Sequence, residues 1–308
     1  MFHAEQTLQP RIERAGLEFL WLELTNRCNL QCVHCYAESG PRTGICDTLA
    51  TQDYISLLDE AYDIGCRSVQ FIGGEPTLNR DLGRLVIHTA GRGFDLIEVF
   101  TNLTRLSDQL ITLFKEHRVQ VATSVYANAA GIHDRITTVP GSFARTMANL
   151  KKLVSLGVPV RAGVISMEEN QHVIDETMAF LRGLGLWNVG SDTQRKIGRG
   201  AASTEADMSE LCGACAGAKL CVGPDGLVSP CIMSKAWSVG SIQKTSLGEL
   251  LQSDQLHRTR EAIYKCTVEP TALNLPCTPQ VCGPYDSCGP SRGPGPCAPS
   301  GCRICYPG

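Results

Sequence analysis

The stretch NRCNLQCVHCY, residues 26–36, is the most informative part of the sequence. It holds three cysteines within eight positions: Cys28, Cys32 and Cys35. A structural zinc site and a cubane iron–sulfur cluster are each held by four ligands, so three thiolates leave one metal position open to a ligand from outside the chain. The spacing by itself also allows a closed zinc site that His34 or Cys46 completes.

The composition favours metal binding over disulfide bonding. The chain has 308 residues, a net charge of −3 and 16 cysteines, five before residue 200 and eleven after it. Residues 1–16 lack the apolar segment of a signal peptide, and no apolar run reaches the roughly 18 residues of a membrane helix, which predicts a cytoplasmic protein with no membrane partner. Disulfides do not persist in a reducing cytosol, so these cysteines are expected to bind metal or act in catalysis. The small net charge argues against nucleic acid as a partner.

Between residues 17 and 200 the hydrophobic pattern alternates between strand and helix. Strands are predicted at 17–25, 68–74, 96–103, 119–126, 158–166 and 188–193, and helices at 51–65, 78–93, 107–117, 142–157 and 170–185. About six β/α units indicate a parallel sheet with helices outside it, either an open partial barrel or a doubly wound sheet. In both folds ligands bind at the carboxyl ends of the strands, and the cysteine loop directly follows the first strand.

A second motif, GGEP, follows the second predicted strand and consists of Gly73, Gly74, Glu75 and Pro76. Alone it is a tight turn of little specificity. Together with the cysteine loop, it resembles the radical S-adenosylmethionine (SAM) superfamily. The resemblance implies an α/β fold with a partial (β/α)6 barrel, a [4Fe–4S] cluster on the three cysteines, and SAM bound to the remaining iron. It also implies that the GGEP turn binds the methionine ammonium of SAM through backbone carbonyls and the Glu75 carboxylate.

Four further positions match the family. The resemblance places His34 near the adenine, aligns Asn102 with a recurrent TNG turn, and brings Ser124 to the ribose or carboxylate of SAM. Arg135, about a dozen residues after Ser124, would pair with the same carboxylate, as guanidinium geometry favours. Each of the last three also has a simpler interpretation, as a turn residue, a strand residue and a solvated surface charge respectively.

The C-terminal segment CAGAKLCVGPDGLVSPC places Cys215, Cys221 and Cys231 at spacings that resemble the start of a SPASM domain, which binds auxiliary [4Fe–4S] clusters. Its PDG turn predicts a β-hairpin. The remaining candidate ligands, for one or two auxiliary clusters, are Cys212, Cys277, Cys282, Cys288, Cys297, Cys302 and Cys305. The family pattern is C-x2-C-x5-C-x3-C with a final cysteine, and here only the spacing from Cys282 to Cys288 fits. Zinc knuckles at 212–215 and 302–305 are the alternative.

These observations predict a tail at 1–16, a radical SAM barrel at 17–200 and a small cysteine-rich auxiliary-cluster domain at 201–308. Cys266 lies outside the tight spacings, and it is predicted to be a remote cluster ligand, a hydrogen-atom donor in catalysis or a small core residue. Cys46 and Cys66 are predicted to be core or surface residues.

The resemblance implies an enzyme that cleaves SAM to a 5′-deoxyadenosyl radical and removes hydrogen from its substrate. Relatives with such a C-terminal domain modify ribosomally made peptides, so a precursor peptide is the expected substrate, with crosslinking, epimerisation or oxidation as the outcome. A sugar or aminoglycoside-type natural product is the second expectation, and a non-enzymatic zinc-binding adaptor is the third. The expected partners are an electron donor such as flavodoxin or ferredoxin and a separate leader-recognition protein, because only about sixteen residues precede the first strand.

Overall fold

A computed structural model describes residues 16–44, 46–201 and 205–268. Its strands are β1 (Phe19–Glu23), β2 (Ser68–Ile72), β3 (Leu96–Phe100), β4 (Gln120–Ser124), β5 (Val160–Ser166), β6 (Asn188–Thr193), β7 (Lys219–Val222), β8 (Leu227–Ser229) and β9 (Gly240–Ser241). Its helices are α1 (Thr51–Asp63), α2 (Leu82–Arg92), α3 (Asp108–Glu116), α4 (Ala130–Thr137), α5 (Ser142–Ser155), α6 (Ile174–Gly183), α7 (Leu247–Leu251) and α8 (Asp254–Thr267). All six predicted barrel strands are present.

The strands form one sheet in the order β6-β5-β4-β3-β2-β1-β7-β8-β9, and every neighbouring pair from β6 to β7 is parallel. From β1 to β6 the spatial order follows the chain order, so each crossover advances the sheet in the same direction. A doubly wound sheet would reverse direction part of the way along. The partial barrel is therefore confirmed and the doubly wound alternative is wrong.

The sheet continues past the predicted domain boundary at residue 200. Strand β7 pairs with β1, with Trp21 opposite Cys221, and the antiparallel strands β8 and β9 follow it. The predicted hairpin joins β7 to β8 through residues 223–226, where Gly226 has a φ of +79°, a conformation that favours glycine. Because pairing between strands some 200 residues apart leaves no local signal, the sequence did not predict a seventh parallel strand.

Alternating residues of the strands line two different cores. Leu20, Leu22 and Leu24 pack towards the helices in the main apolar core. Phe19 and Trp21 face the concave side and pack in a second apolar cluster that also contains Cys215, Cys221 and Cys231. This alternation is the period of two expected for a strand, and it places the auxiliary cysteines against the inside of the barrel.

Helices α4, α7 and α8 were not predicted. The sequence of α4, AGIHDRIT, is short and carries little apolar periodicity, whereas α7 and α8 begin at serines whose side chains accept the N–H of Glu249 and Leu256 respectively. The part of the chain that the structure describes contains no helix with the length and apolar character needed to cross a bilayer. The predicted tail, 1–16, lies outside the described residues except for Gly16.

Candidate active site

The cysteine loop leaves the carboxyl end of β1 and is fixed through its backbone. Cys28 N–H donates to Gly40 O at 3.1 Å, and the N–H of Val33 donates to Ile136 O in α4 at 3.0 Å. Cys35 N–H donates back to Cys32 O at 3.3 Å, which closes a turn between the last two cysteines. The unpredicted helix α4 therefore shapes the far side of this loop.

Two of the three thiols of the loop, those of Cys28 and Cys32, lie in a desolvated environment. Burial raises the pKa of Cys28 and of Cys32 to about 12. Thiols with such pKa values stay protonated at neutral pH unless a metal displaces the proton. Leu30 N–H and Asn102 Nδ2 both point at Cys28 Sγ, at 3.4 and 3.8 Å, and would stabilise a thiolate there.

Within the described residues, no three His, Cys, Asp or Glu side chains converge on the position of one metal ion. A cubane cluster does not require such convergence, because each cysteine binds a different iron atom. The loop thus supplies donors of the chemistry that an iron–sulfur cluster takes, namely cysteine thiols.

The GGEP turn packs against the start of the cysteine loop. Gly74 N–H donates to Thr25 O at 2.7 Å, and Glu75 N–H donates to Arg27 O at 2.9 Å. A Cβ on Gly73 would lie 2.5 Å from Thr25 O, and a Cβ on Gly74 would lie 2.3 Å from Arg27 O. Both glycines are thus required by the contact between two chain segments, in addition to any role towards a ligand.

Glu75 is fully buried and caps the short turn of helix at Pro76–Leu78, in which Pro76 is also buried. Its Oε1 accepts from Thr77 N–H, Thr77 Oγ1 and Thr101 Oγ1, at 3.1, 2.7 and 2.7 Å. Its Oε2 accepts from Asn102 N–H at 2.8 Å. Burial raises the pKa of Glu75, and these hydrogen bonds oppose the shift. Because Oε2 accepts one hydrogen bond and has capacity for a second, the carboxylate fits an ammonium ligand such as that of SAM.

Asn102 connects both motifs at the end of β3. Its backbone N–H binds Glu75, and its Nδ2 donates to Asn29 Oδ1 at 2.8 Å beside Cys28. Its Oδ1 accepts from Thr104 N–H at 2.9 Å, which is the turn geometry expected of asparagine. Asn102 therefore combines the turn and site interpretations.

His34, Ser124 and Arg135 are placed differently from one another. The His34 ring meets Tyr126 edge-on at 4.9 Å between centroids, and burial lowers the pKa of His34 to about 4, so the ring is neutral. Ser124 ends β4, and its hydroxyl is hydrogen-bonded to the Tyr126 phenol, which also contacts Cys32. Arg135 is exposed on α4. Tyr126 was not predicted to belong to the site.

A second unpredicted contribution comes from the turn after β6. Arg199 Nε donates to Cys32 O at 2.8 Å, its Nη2 donates to Ser39 O at 2.7 Å, and its backbone N–H donates to Cys35 O at 3.0 Å. Gly198, with a φ of +57°, lies so close to the loop that a Cβ would be 2.4 Å from Tyr36 O. Only the fold brings the turn to the loop, so the sequence pattern gave no signal for it.

We expect Arg199→Met to loosen the cysteine loop while the barrel stays folded. The change removes two hydrogen bonds from a charged donor to loop carbonyls, each worth about 1.5–3 kcal/mol. Iron should then be lost to a chelator several-fold faster, as followed by the absorbance of the reconstituted protein. Arg84→Met, on the exposed face of α2, is the matched control, and equal rates in both variants would contradict the assignment.

The auxiliary cysteines form a separate group beside the concave face. Cys215, Cys221 and Cys231 are buried, while Cys212 is exposed. The Cys215 and Cys231 thiols are hydrogen-bonded to each other, which lowers the pKa of Cys231 and raises that of Cys215. Ser234 Oγ accepts the Cys231 N–H at 2.8 Å and holds this turn in place.

A polar bridge joins the two groups of cysteines. Tyr36 follows Cys35 directly, and both Cys35 and Cys221 act on the electrostatics of its phenol. The hydroxyl of Tyr36 donates to Glu23 Oε1 at 3.1 Å, and Lys235 Nζ lies 2.6 Å from Glu23 Oε2. Burial raises the pKa of Glu23, and the lysine opposes this shift. The two groups of cysteines are thus linked through an ion pair whose carboxylate is buried and whose lysine is half-buried.

The other predicted cysteines are distributed as follows. Cys266 lies exposed on α8, Cys46 is exposed, and Cys66 is buried, with its thiol donating to Ser68 O at 3.4 Å. The positions outside the described residues are Cys277, Cys282, Cys288, Cys297, Cys302 and Cys305.

Comparisons with known proteins agree with this arrangement. Over 180 residues, 58% of this chain and 40% of the relative, the chain is 27% identical to the antilisterial bacteriocin subtilosin biosynthesis protein AlbA of Bacillus subtilis. Over 172 residues, 54% of this chain and 43% of the relative, it is 28% identical to an AdoMet-dependent heme synthase of Oleidesulfovibrio alaskensis. The matches thus span about two fifths of the length of these relatives.

The crystal structure of Streptococcus suis SuiB bound to S-adenosylmethionine superposes on this chain with a TM-score of 0.67 at 15% identity. The superposition covers 80% of this chain and 68% of SuiB, so the two proteins share a fold. The profile of the radical SAM superfamily matches residues 22–181, and that of an iron–sulfur cluster-binding domain, SPASM, matches residues 212–279. These families imply SAM and [4Fe–4S] clusters as cofactors. The chain belongs to the radical SAM superfamily and carries a C-terminal SPASM domain.

Proposed function

We propose that this protein is a radical SAM enzyme that modifies a ribosomally synthesised peptide. When bound, SAM and the [4Fe–4S] cluster supply one-electron cleavage of SAM to a 5′-deoxyadenosyl radical, which removes hydrogen from the substrate. The cluster would be held by Cys28, Cys32 and Cys35. The observation that carries the proposal is that these three cysteines and Glu75 meet at the carboxyl ends of β1 and β2.

The residues of the chain would bind and orient the cofactor and exclude water. The carboxylate of Glu75 is held by Thr77, Thr101 and Asn102, and its Oε2 would accept the ammonium of SAM. The backbone carbonyls of Gly73 and Gly74 would add acceptors for the same group. Burial of Cys28 and Tyr126 keeps bulk water from these two side chains, and exclusion of water protects a reactive intermediate from side reactions.

The auxiliary cysteines determine what can follow hydrogen removal. Cys215, Cys221 and Cys231 would hold an auxiliary cluster near the concave face, with ligands outside the described residues completing the set. These cysteines would hold a group that supplies electron transfer or substrate positioning, so oxidation, crosslinking and epimerisation are all compatible outcomes. Membership of the SPASM group supports this assignment, and so does the burial of these three thiols.

The substrate class is supported by the similarity to AlbA, whose name records bacteriocin biosynthesis. The comparable similarity to a heme synthase shows that the barrel alone does not discriminate substrates. The proposed partners are a precursor peptide, a flavodoxin- or ferredoxin-type electron donor and a separate leader-recognition protein, all in the cytoplasm. A sugar or aminoglycoside substrate is the competing proposal.

The proposal is tested by loading and turnover on one sample. After anaerobic reconstitution we expect about twelve irons per chain for three cubanes, or about eight with one auxiliary cluster. Dithionite and SAM should yield 5′-deoxyadenosine. Peptides encoded by short reading frames that flank the gene should raise this yield, and the mass of the peptide that serves as substrate should change. Zinc without SAM cleavage would contradict the enzyme, and stimulation by aminoglycosides but by none of these peptides would contradict the peptide substrate.

A further inference from the structure

Helix α8 covers the group of auxiliary cysteines. Its Ile263 packs in the same apolar cluster as Cys215, Cys221 and Cys231. Near the end of α8, Thr267 Oγ1 would lie 2.8 Å from a Cβ on Gly213, the residue that follows Cys212. The inner face of α8 therefore forms one wall of the apolar cluster that contains these thiols.

One turn before Ile263, this wall carries a buried arginine. Arg260 is 1% exposed, and its Nη2 donates to Lys219 O at 3.1 Å, two residues before Cys221. Its Nε is buried and, among the described residues, has no hydrogen-bond partner. The only described charge partner that acts on this guanidinium is the Cys215 sulfur.

A buried guanidinium without a carboxylate is unfavourable unless another negative group compensates it. In the described part of the chain, the side chains around Arg260 supply sulfur and carbon but no acid. A cluster bound through thiolates carries negative charge at this place and has sulfur atoms that accept hydrogen bonds. The free Nε–H and the missing counter-charge thus point to the same kind of ligand.

We propose that Arg260 is the counter-charge of the auxiliary iron–sulfur cluster, donating its Nε–H to a cluster or cysteine sulfur beside Cys215 and raising the reduction potential of that cluster. The inference rests on the proposed ligand role of Cys215 and Cys231. Reduction adds one electron, supplied by dithionite in the test, to the cluster. A fixed positive charge nearby stabilises the more negative reduced state. In this role Arg260 acts on the electrostatics of the cluster and takes no part in bond making or breaking.

The test is a redox titration of the fully reconstituted enzyme, monitored by EPR. Adding SAM shifts the signal of the first cluster and so identifies the auxiliary signal. We expect Arg260→Gln to disfavour reduction of the auxiliary cluster about tenfold, which corresponds to 59 mV for one electron. Arg260→Lys, which keeps the charge, should remain closer to wild type. Arg258→Met, on the exposed face of the same helix, should leave the potential unchanged.

Each result has a defined meaning. Loaded Gln and Lys variants with the wild-type potential would overturn the proposal, as would failure of both variants to fold or load. Loading of the Lys variant but not of the Gln variant would support it, because charge would then be needed to retain the cluster. Cys231→Ala tests the underlying assumption that Cys231 binds the auxiliary cluster. Unchanged iron content in that variant would refute this ligand assignment, whereas the assignment of the SAM-binding cluster would stand.

Discussion

Cys28→Ala is expected to reduce formation of 5′-deoxyadenosine to the background level while the absorbance of the auxiliary cluster persists. Cys28 is the most buried of the three loop cysteines and the one beside Asn102 and Glu75. The two remaining thiolates of the motif cannot replace it, and Cys46, the other described cysteine between β1 and α1, is exposed. The variant should contain about four fewer irons per chain than wild type. Iron analysis and chromatographic detection of 5′-deoxyadenosine on the same sample measure both effects.

Cys66→Ala is the matched control for this result. Cys66 is also a buried cysteine, but it lies before β2 in the helix-side core and its thiol donates to a backbone carbonyl. We expect this variant to retain iron and SAM cleavage, at a small cost in stability from the lost side-chain volume. SAM cleavage by Cys28→Ala at the wild-type rate would show that the first cluster is held elsewhere.

Gly74→Ala is expected to cost about 2–4 kcal/mol of unfolding free energy and most of the affinity for SAM. The new Cβ would lie 2.3 Å from Arg27 O and 2.7 Å from Arg27 C, which are backbone atoms that cannot rotate away. The chain must therefore shift at the start of the cysteine loop, which weakens the hydrogen bond from Gly74 N–H to Thr25 O and adds overpacking strain. Denaturant titration and SAM-binding calorimetry measure the two effects.

Gly91→Ala provides the same chemical change at a different place. A Cβ on Gly91 would meet no atom within 4 Å, and the residue lies inside α2. Alanine should stabilise that helix by up to about 1 kcal/mol. Stability losses of equal size in both variants would indicate that neither reflects the contact between the GGEP turn and the cysteine loop.

Local patterns in the sequence were sufficient for the barrel and for its two motifs. The six strands, the five predicted helices and the position of the cysteine loop after β1 follow from hydrophobic periodicity and turn residues. Contacts between distant segments were not predictable in this way. Strand β7 joins β1, Arg199 binds the loop carbonyls, and Arg260 enters the wall around Cys215 only because the fold brings these segments together.

The glycines of the GGEP turn show how a resemblance and a structure complement each other. The resemblance assigns Gly73 and Gly74 to the methionine group of SAM. The structure adds that neither position has room for a Cβ beside Thr25 and Arg27. A side chain there is excluded before any ligand binds, so these glycines serve the contact between two loops whatever the ligand is. The remaining assignments, above all that of the exposed Arg135, stay predictions.

The pairing of β1 with β7 limits how the enzyme can move. Trp21 and Cys221 are opposite each other in a parallel ladder, and four residue pairs connect the two strands. A hinge between the barrel and the segment with the auxiliary cysteines would have to break this ladder, which lies inside a continuous sheet of nine strands. The spacing between the two groups of cysteines is therefore set by backbone hydrogen bonds rather than by a flexible linker. Under the proposed function, a bulky substrate would then have to enter through the loops at the strand ends, not through separation of two bodies.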